Sequence, residues 1–361
     1  MKSSFDIAVF DGDGIGPEIT RPTVDILRKL AERGDYALSF SQCPAGASHY
    51  AQTGESLPKA SMDIARNSDA ILLSAMGLPS VRYEDGTEIS PQIEIRKALT
   101  LFAGVRPVRI FPGQRTPLNM PEGREVDFVL IRESTEGLFY SQGSGEVTKD
   151  EARETLLITR DISEKLFKFA FKLAGDRKAK GRGPGRVTCV DKANVFRAFA
   201  FFREIFDGIA KDFPDLTSDH AYVDATALWM VQKPWDFDVL VTENMFGDIL
   251  SDLGAGLMGG LGVAPSADIG LDNAVFQPCH GSAPDIAGMG KANPMAMILS
   301  GAMMLDWLGT KHDNAAMMKD GARLQKAVED VISRGDGLTP DLGGTGSTES
   351  ISALILNELA A

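Results

Sequence analysis

DVLVTENMFGDILSDLGAGL, residues 238–257, sets a short apolar, β-branched run directly against a helical one. DVLVTEN (238–244) reads as a strand and GDILSDLGAGL (247–257) as a short helix breaking into glycines. A strand that feeds a helix is one unit of an α/β protein, and the unit recurs on both sides of this segment. Upstream, FDIAVFDG (5–12), YALSFSQC (36–43), DAILLSAMG (69–77), VDFVLIRES (126–134), VTCVDK (187–192) and HAYVDA (220–225) read as strands. Between them lie helical stretches: PEITRPTVDILRKLAERG (17–34), closed by Gly34, and LLITRDISEKLFKFAFKLAG (156–175). SPQIEIRKALTLFA (90–103) reads as a third, with Ser90 at the N-cap and Pro91 at the first helical position. A Gly-rich tract (254–270), the loop HGSAPDIAG (280–288) and three helices complete the chain. The expectation is an α/β fold with a largely parallel sheet and no internal repeat.

The chain has 361 residues, enough to divide its burial between two centres. Its 37 basic and 50 acidic residues leave a net charge of −13, which excludes a general nucleic-acid binder, since polyanions are held by a surplus of Lys and Arg. An anionic substrate must therefore meet a local basic cluster or a bound cation. The three cysteines (Cys43, Cys189, Cys279) have no CxxC spacing and fit a reducing, cytoplasmic compartment. The most apolar stretch (294–309) is shorter than the roughly 20 residues a membrane span needs and contains Asp306, so it reads as a buried helix.

Several groups of residues invite a chemical reading. GDGIGPE (12–18) joins a strand to a helix, but its GxGxG spacing fails the dinucleotide fingerprint and Pro17 opens the helix; a tight turn is the simpler reading. Asp248 and Asp252 are four apart and share a helix face, with Asp224 near the end of the strand HAYVD as a third carboxylate. Three carboxylates without Cys or His select Mg²⁺ or Mn²⁺; a solvated acidic helix face is the alternative. Arg96, Arg106 and Arg132 suit carboxylate forks, or ordinary surface ion pairs. Lys192 is a possible base if burial tunes its amine, or a solvated lysine. HGSAPDIAG followed by KANP (291–294) offers backbone donors to a phosphate and Asp285 to a ribose diol, or simply connects two elements.

In this order, GDGIGPE, IRKALTLFAGVRP, VLIRESTEG, VDKANV, YVDA, TENMFGDILSDL, HGSAPDIAG and KANP resemble the metal-dependent β-decarboxylating dehydrogenases of isopropylmalate, isocitrate and tartrate/malate over nearly the whole chain. The resemblance implies an isopropylmalate dehydrogenase-like fold, distinct from a Rossmann arrangement, with two α/β domains and the active-site cleft between them. Residues 1–103 and 254–361 would form a discontinuous cofactor-binding domain, and 104–253 a central domain carrying a homodimer interface. It further implies that Arg96, Arg106 and Arg132 clamp substrate carboxylates while Asp248 and Asp252 hold the Mg²⁺ or Mn²⁺. Lys192 and Asp224 would reach in from the partner subunit. His280, Gly281, Ser282, Ala283, Asp285 and Asn293 would hold the adenosine end of NAD, with Ile15 and Asn194 also contacting the cofactor. Asp285, with no basic residue in its place, favours NAD over NADP.

The implied reaction is oxidation of a (2R)-malate-type 2-hydroxy acid with loss of CO₂. Three residues depart from the family's pattern. Phe139 stands where the family places a tyrosine acid, with Tyr140 next to it; the alternatives are Tyr140 after a one-residue shift, water as the proton donor, or an oxidation that does not complete the usual decarboxylation. Gln277 stands where a glutamate is usual, removing a negative charge near the nicotinamide half. Gln92, with Ile93 alongside, lies one turn before Arg96 where an isopropylmalate enzyme has leucines. The expectation is a 3-isopropylmalate dehydrogenase type of enzyme, with tartrate, D-malate or isocitrate as alternative substrates. A non-catalytic regulatory subunit of the same family is the alternative of another class. The three aspartates, three arginines and Lys192 argue against it.

Overall fold

Strands form where short aliphatic runs can be buried on both faces, and AILL and VLVT, in which every residue is buried, are the clearest cases. A computed structural model describes residues 2–360. Its first part runs β1 (Ser4–Phe10), α1 (Gly16–Arg33), β2 (Ala37–Gln42), α2 (Ala47–Thr53), α3 (Lys59–Asn67), β3 (Ala70–Leu73), α4 (Pro91–Ala98), β4 (Ala103–Arg109) and β5 (Asp127–Glu133). The middle holds a small hairpin, β6 (Glu146–Val147) and β7 (Ala152–Arg153), then α5 (Arg160–Ala179), β8 (Arg186–Asp191), α6 (Arg197–Ala210), β9 (Thr217–Tyr222), α7 (Val223–Gln232), β10 (Val239–Thr242) and α8 (Asn244–Leu257). The chain ends through β11 (Pro265–Ile269), β12 (Ala274–Pro278), α9 (Met295–Lys311), α10 (Ala315–Arg334) and α11 (Thr348–Ala360).

Ten strands share one sheet in the order β2-β1-β3-β12-β11-β4-β5-β10-β8-β9. The sheet is largely parallel, as the sequence reading expects, with an antiparallel centre. β2-β1-β3-β12 form one parallel block and β5-β10-β8-β9 another. Between them β12/β11, β11/β4 and β4/β5 pair antiparallel. The cause is local: β11 and β12 are joined by only Gly270–Asn273, a hairpin loop too short for a parallel crossover. α9, the apolar stretch read as a buried helix, is buried along most of its length and packs against β11, β12 and α10. Among the described residues no helix is long and apolar enough to cross a membrane.

Three further boundaries differ from the sequence reading. The helix begun at Pro91 stops at Ala98, because Thr100 adopts a left-handed φ of 50° and Ala103 already belongs to β4. Ser90 precedes that helix as expected, but its hydroxyl donates to Glu88 O (3.3 Å) instead of capping. β9 ends at Tyr222, so Asp224 lies in the first turn of α7 and not at a strand end. The helix read over 156–175 starts later, at Arg160, where the Thr159 side chain accepts from Ile162 N.

Candidate active site

The antiparallel centre of the sheet builds the site by register. Arg132 on β5 lies opposite Gly104 on β4, Gly104 opposite Asp268 on β11, and Asp268 opposite Val275 on β12. Residues two apart on a strand share a face, so Arg106 and Gln277 point to the same side as that row. Gly104 leaves the row open: a Cβ there would stand 2.6 Å from Ser134 Oγ and 3.1 Å from Asp268 Oδ1. α4 lays Gln92, Ile93 and Arg96 beside this face, and α8 brings Asp248 and Asp252. Together with Phe139, Ser251, Cys279, His280 and Gly281 they line a cleft of about 270 Å³.

Two residues that the sequence reading did not single out, Asp268 and Asn244, hold the three arginines in place. The wholly buried Asp268 accepts from Arg96 Nε at 2.8 Å and from Arg106 Nη2 at 3.2 Å. It also accepts from Ser134 Oγ (3.3 Å) and Gln277 Nε2 (2.6 Å). Burial alone would raise the Asp268 carboxyl, but Arg96, Arg106 and Arg132 outweigh it and hold it below its ordinary value. Asn244 Oδ1 accepts from Arg132 Nε (2.9 Å) and Nη2 (2.7 Å), while Arg132 Nη1 bonds Asp248. Burial and the nearby Arg96 lower Arg132 to about 10. Its guanidinium lies over the Phe139 ring at 5.2 Å. A sequence signal for Asp268 existed: two short apolar runs around GLDN mark a hairpin. The Gly-rich character of the tract concealed it.

Asp248 and Asp252 stand one turn apart at this cleft, and the Asp252 carboxyl is pushed up by burial and by the Asp248 charge. Two hard oxygen donors in mutual repulsion fit a dication, which would relieve that repulsion. Asp224 is not with them, and among the described residues no three His, Cys, Asp or Glu side chains gather as a metal group. Instead Asp224 Oδ1 pairs with Lys192 Nζ at 2.6 Å on an exposed part of the fold, where that bond lowers the Asp224 pKa. Asn194 is exposed in the turn just after Lys192. Tyr140, 54% exposed in a 3₁₀ turn, is not among the cleft-lining residues, whereas Phe139 is.

The loop after β12 reaches the mouth of the cleft through His280 and Gly281. His280 Nδ1 meets Gly281 O at 2.9 Å, and burial lowers the imidazole pKa. His280 Nε2 is buried with no partner, and an unpaired nitrogen beside exposed Gly281, Ala283 and Asp285 fits a ligand with oxygen or nitrogen groups, as a dinucleotide has. Ser282 is buried and its hydroxyl donates to Gly77 O. The buried Ile15 donates its backbone N–H to Ser282 O (2.8 Å), tying the GDGIG turn to this loop. Asn293 is engaged with Asp341 Oδ2 (3.0 Å) and with Met295 N (3.0 Å), which fixes the start of α9.

Fold and cleft together define an α/β protein whose cleft sets three guanidinium groups beside a carboxylate pair, a lining complementary in charge to an acid and a cation. The chain belongs to the isocitrate/isopropylmalate dehydrogenase family, whose model matches residues 6–355. It is 40% identical to a 3-isopropylmalate dehydrogenase of Streptococcus thermophilus over 98% of this chain and 99% of that one. A 3-isopropylmalate/3-methylmalate dehydrogenase of Methanocaldococcus jannaschii is 39% identical over 95% of both. The crystal structure of an isocitrate dehydrogenase from Methylococcus capsulatus superposes with a TM-score of 0.85 at 36% identity, covering 99% of this chain and 100% of that one. The protein is thus an isopropylmalate dehydrogenase-like oxidoreductase.

Proposed function

We propose that the chain performs the NAD- and Mg²⁺- or Mn²⁺-dependent oxidative decarboxylation of a (2R)-malate-type acid, in the manner of a 3-isopropylmalate dehydrogenase. The observation that carries this reading is the convergence of Arg96, Arg106 and Arg132 with Asp248 and Asp252 on one small cleft. The arginines bind and orient the substrate carboxylates; Asp248 and Asp252, with Asp224 of a second subunit, hold the cation. When bound, the dication supplies Lewis acidity to the substrate oxygens and NAD supplies the hydride acceptor. Lys192, paired with Asp224, takes the hydroxyl proton. The loop 280–285 with Asn293 and Ile15 holds the cofactor, joined by Asn194 of the second subunit, which follows Lys192; Tyr140 would have to turn in from its exposed position beside Phe139 to return a proton to the enolate carbon once CO₂ has left.

The second subunit is part of the same proposal. Leu228 and Val231 on α7 and Ile249 on α8 are 53%, 51% and 63% exposed, an apolar surface suited to a homodimer contact. Lys192 and Asp224, which do not line their own chain's cleft, would be delivered across it. The division into domains at 1–103 plus 254–361 and 104–253 is likewise proposed; it is supported by the two parallel blocks meeting at β11 and β4.

One observation favours a polar 3-substituent over isopropyl. Gln92 lines the cleft, and its Oε1 is buried without a partner. A hydroxyl on the substrate would satisfy it by donating, whereas an alkyl group would leave it unpaired at a cost of ~1–3 kcal/mol. Of the alternative acids tartrate, with its 3-hydroxyl, would meet that need directly; isocitrate would instead accept from the amide nitrogen after a flip of the side chain, and D-malate leaves space for a water. The test follows NADH absorbance with NAD, Mn²⁺ and 3-isopropylmalate, D-malate, tartrate or isocitrate, for the parent and Gln92→Leu. The parent should turn over at least one acid, and the variant should shift preference toward 3-isopropylmalate by about tenfold or more. A folded dimer silent with every acid refutes the function; an unchanged ranking refutes the role of Gln92.

A further inference from the structure

The buried charge under the cleft is unevenly placed. Asp268 has no exposure, yet it serves two of the three cleft arginines, Arg96 through Oδ2 and Arg106 through its own Oδ1. The same Oδ2 receives Gln277 Nε2 at 2.6 Å. Gln277 is itself buried, 7% exposed, and reaches Asp268 because the β11/β12 ladder places it diagonally opposite on the same face. A glutamate at 277 would set a second carboxylate against Asp268 at that distance, in a place where neither can be solvated. Asp268 thus supplies the acceptor and Gln277 the matching donor; the two side chains specify each other.

We propose that Asp268 and Gln277 act as one positioning pair, in which the carboxylate at 268 does the work of holding Arg96 and Arg106 toward the substrate and the amide at 277 is required because that carboxylate is there. The pair does not touch the reacting atoms. It fixes the angle at which two guanidinium forks enter the cleft and cancels part of their charge, so the arginines are aimed before the acid arrives. A substrate carboxylate must then be bound by the donors that Asp268 leaves free. On Arg96 these are Nη1 and Nη2, and on Arg106 Nη1 is directed to Val105 O (3.2 Å) and Ala267 O (3.1 Å), so each fork is partly committed. The pair therefore acts on the affinity and choice of acid.

This inference rests on the function proposed above for its kinetic readout, but a ligand-free readout keeps the two separable. Three variants are compared with the parent: Gln277→Glu, Asp268→Asn, and the double variant that exchanges the charge. Gln277→Glu should raise KM for the acid by tenfold or more with a smaller change in kcat, and lower the thermal midpoint without ligand by ~5 °C, as expected for like charges buried together. Asp268→Asn should also raise KM. The double variant should recover, bringing KM to within about threefold of the parent and the midpoint to within ~2 °C, because one carboxylate and one amide again face each other. A Gln277→Glu protein indistinguishable from the parent, or a double variant no better than Gln277→Glu in either measurement, overturns the pairing. A parent that turns over no acid, with the midpoints still following the expected pattern, refutes the function and leaves the pairing standing.

Discussion

Arg132 is placed by three different side chains, and the chain behind it ends in a buried acid. Asn244 accepts twice from Arg132, donates Nδ2 to Glu136 O at 2.9 Å, and places the same amide 3.4 Å from Glu133 Oε2. Burial pushes Glu133 up to about 7, against donors at Thr135 and Glu136 that pull it down. An acid raised from 4.5 to about 7 keeps its proton in the folded state over the interval where the unfolded chain has lost it. The folded state then binds more protons than the unfolded one, so stability falls as pH rises from about 4.5 to 7 and is flat beyond. The loss is about 3 kcal/mol. Glu133→Gln should flatten that part of the profile, which urea titrations at pH 5 and pH 8 would measure; a parent and variant with parallel profiles would show that Glu133 ionises normally.

At the scale of elements, α7 leaves Leu228 and Val231, and α8 leaves Ile249, uncovered by the chain's own packing. Lysine at 249 costs a single subunit little, since Ile249 is 63% exposed, but placed in a dimer contact it buries a charge. Ile249→Lys should therefore shift the protein to monomer in sedimentation at micromolar concentration and lose most activity, with its far-UV circular dichroism unchanged. An active, dimeric variant would place the interface elsewhere. The same elements mark what can be read from a sequence. Helix periodicity put Gln92 and Arg96 on one face of α4 and Asp248 and Asp252 on one face of α8, because both relations span a single turn. Asp268, Gly104 and Gln277 form a site only through the pairing of β4, β11 and β12, and no local pattern encodes which strand lies beside which. Thr100 ends the helix that the apolar run LTLF would extend by periodicity, since burial of that run suits a connector as well as a helix.

For the molecule as a whole, the sheet gathers the arginine cluster at its antiparallel centre and leaves the Lys192–Asp224 pair outside the cleft those arginines line. If each cleft borrows that pair, defects on the two sides belong to different chains and can cancel. Take one chain disabled at Lys192→Ala and another at Asp252→Asn, each silent as its own dimer. Mixed, unfolded and reassembled at random, half of the dimers combine the two, and in each of those one cleft inherits both lesions and the other inherits none. Two dead preparations should then yield about a quarter of the parental rate; a mixture that stays silent would mean that each subunit furnishes its own lysine.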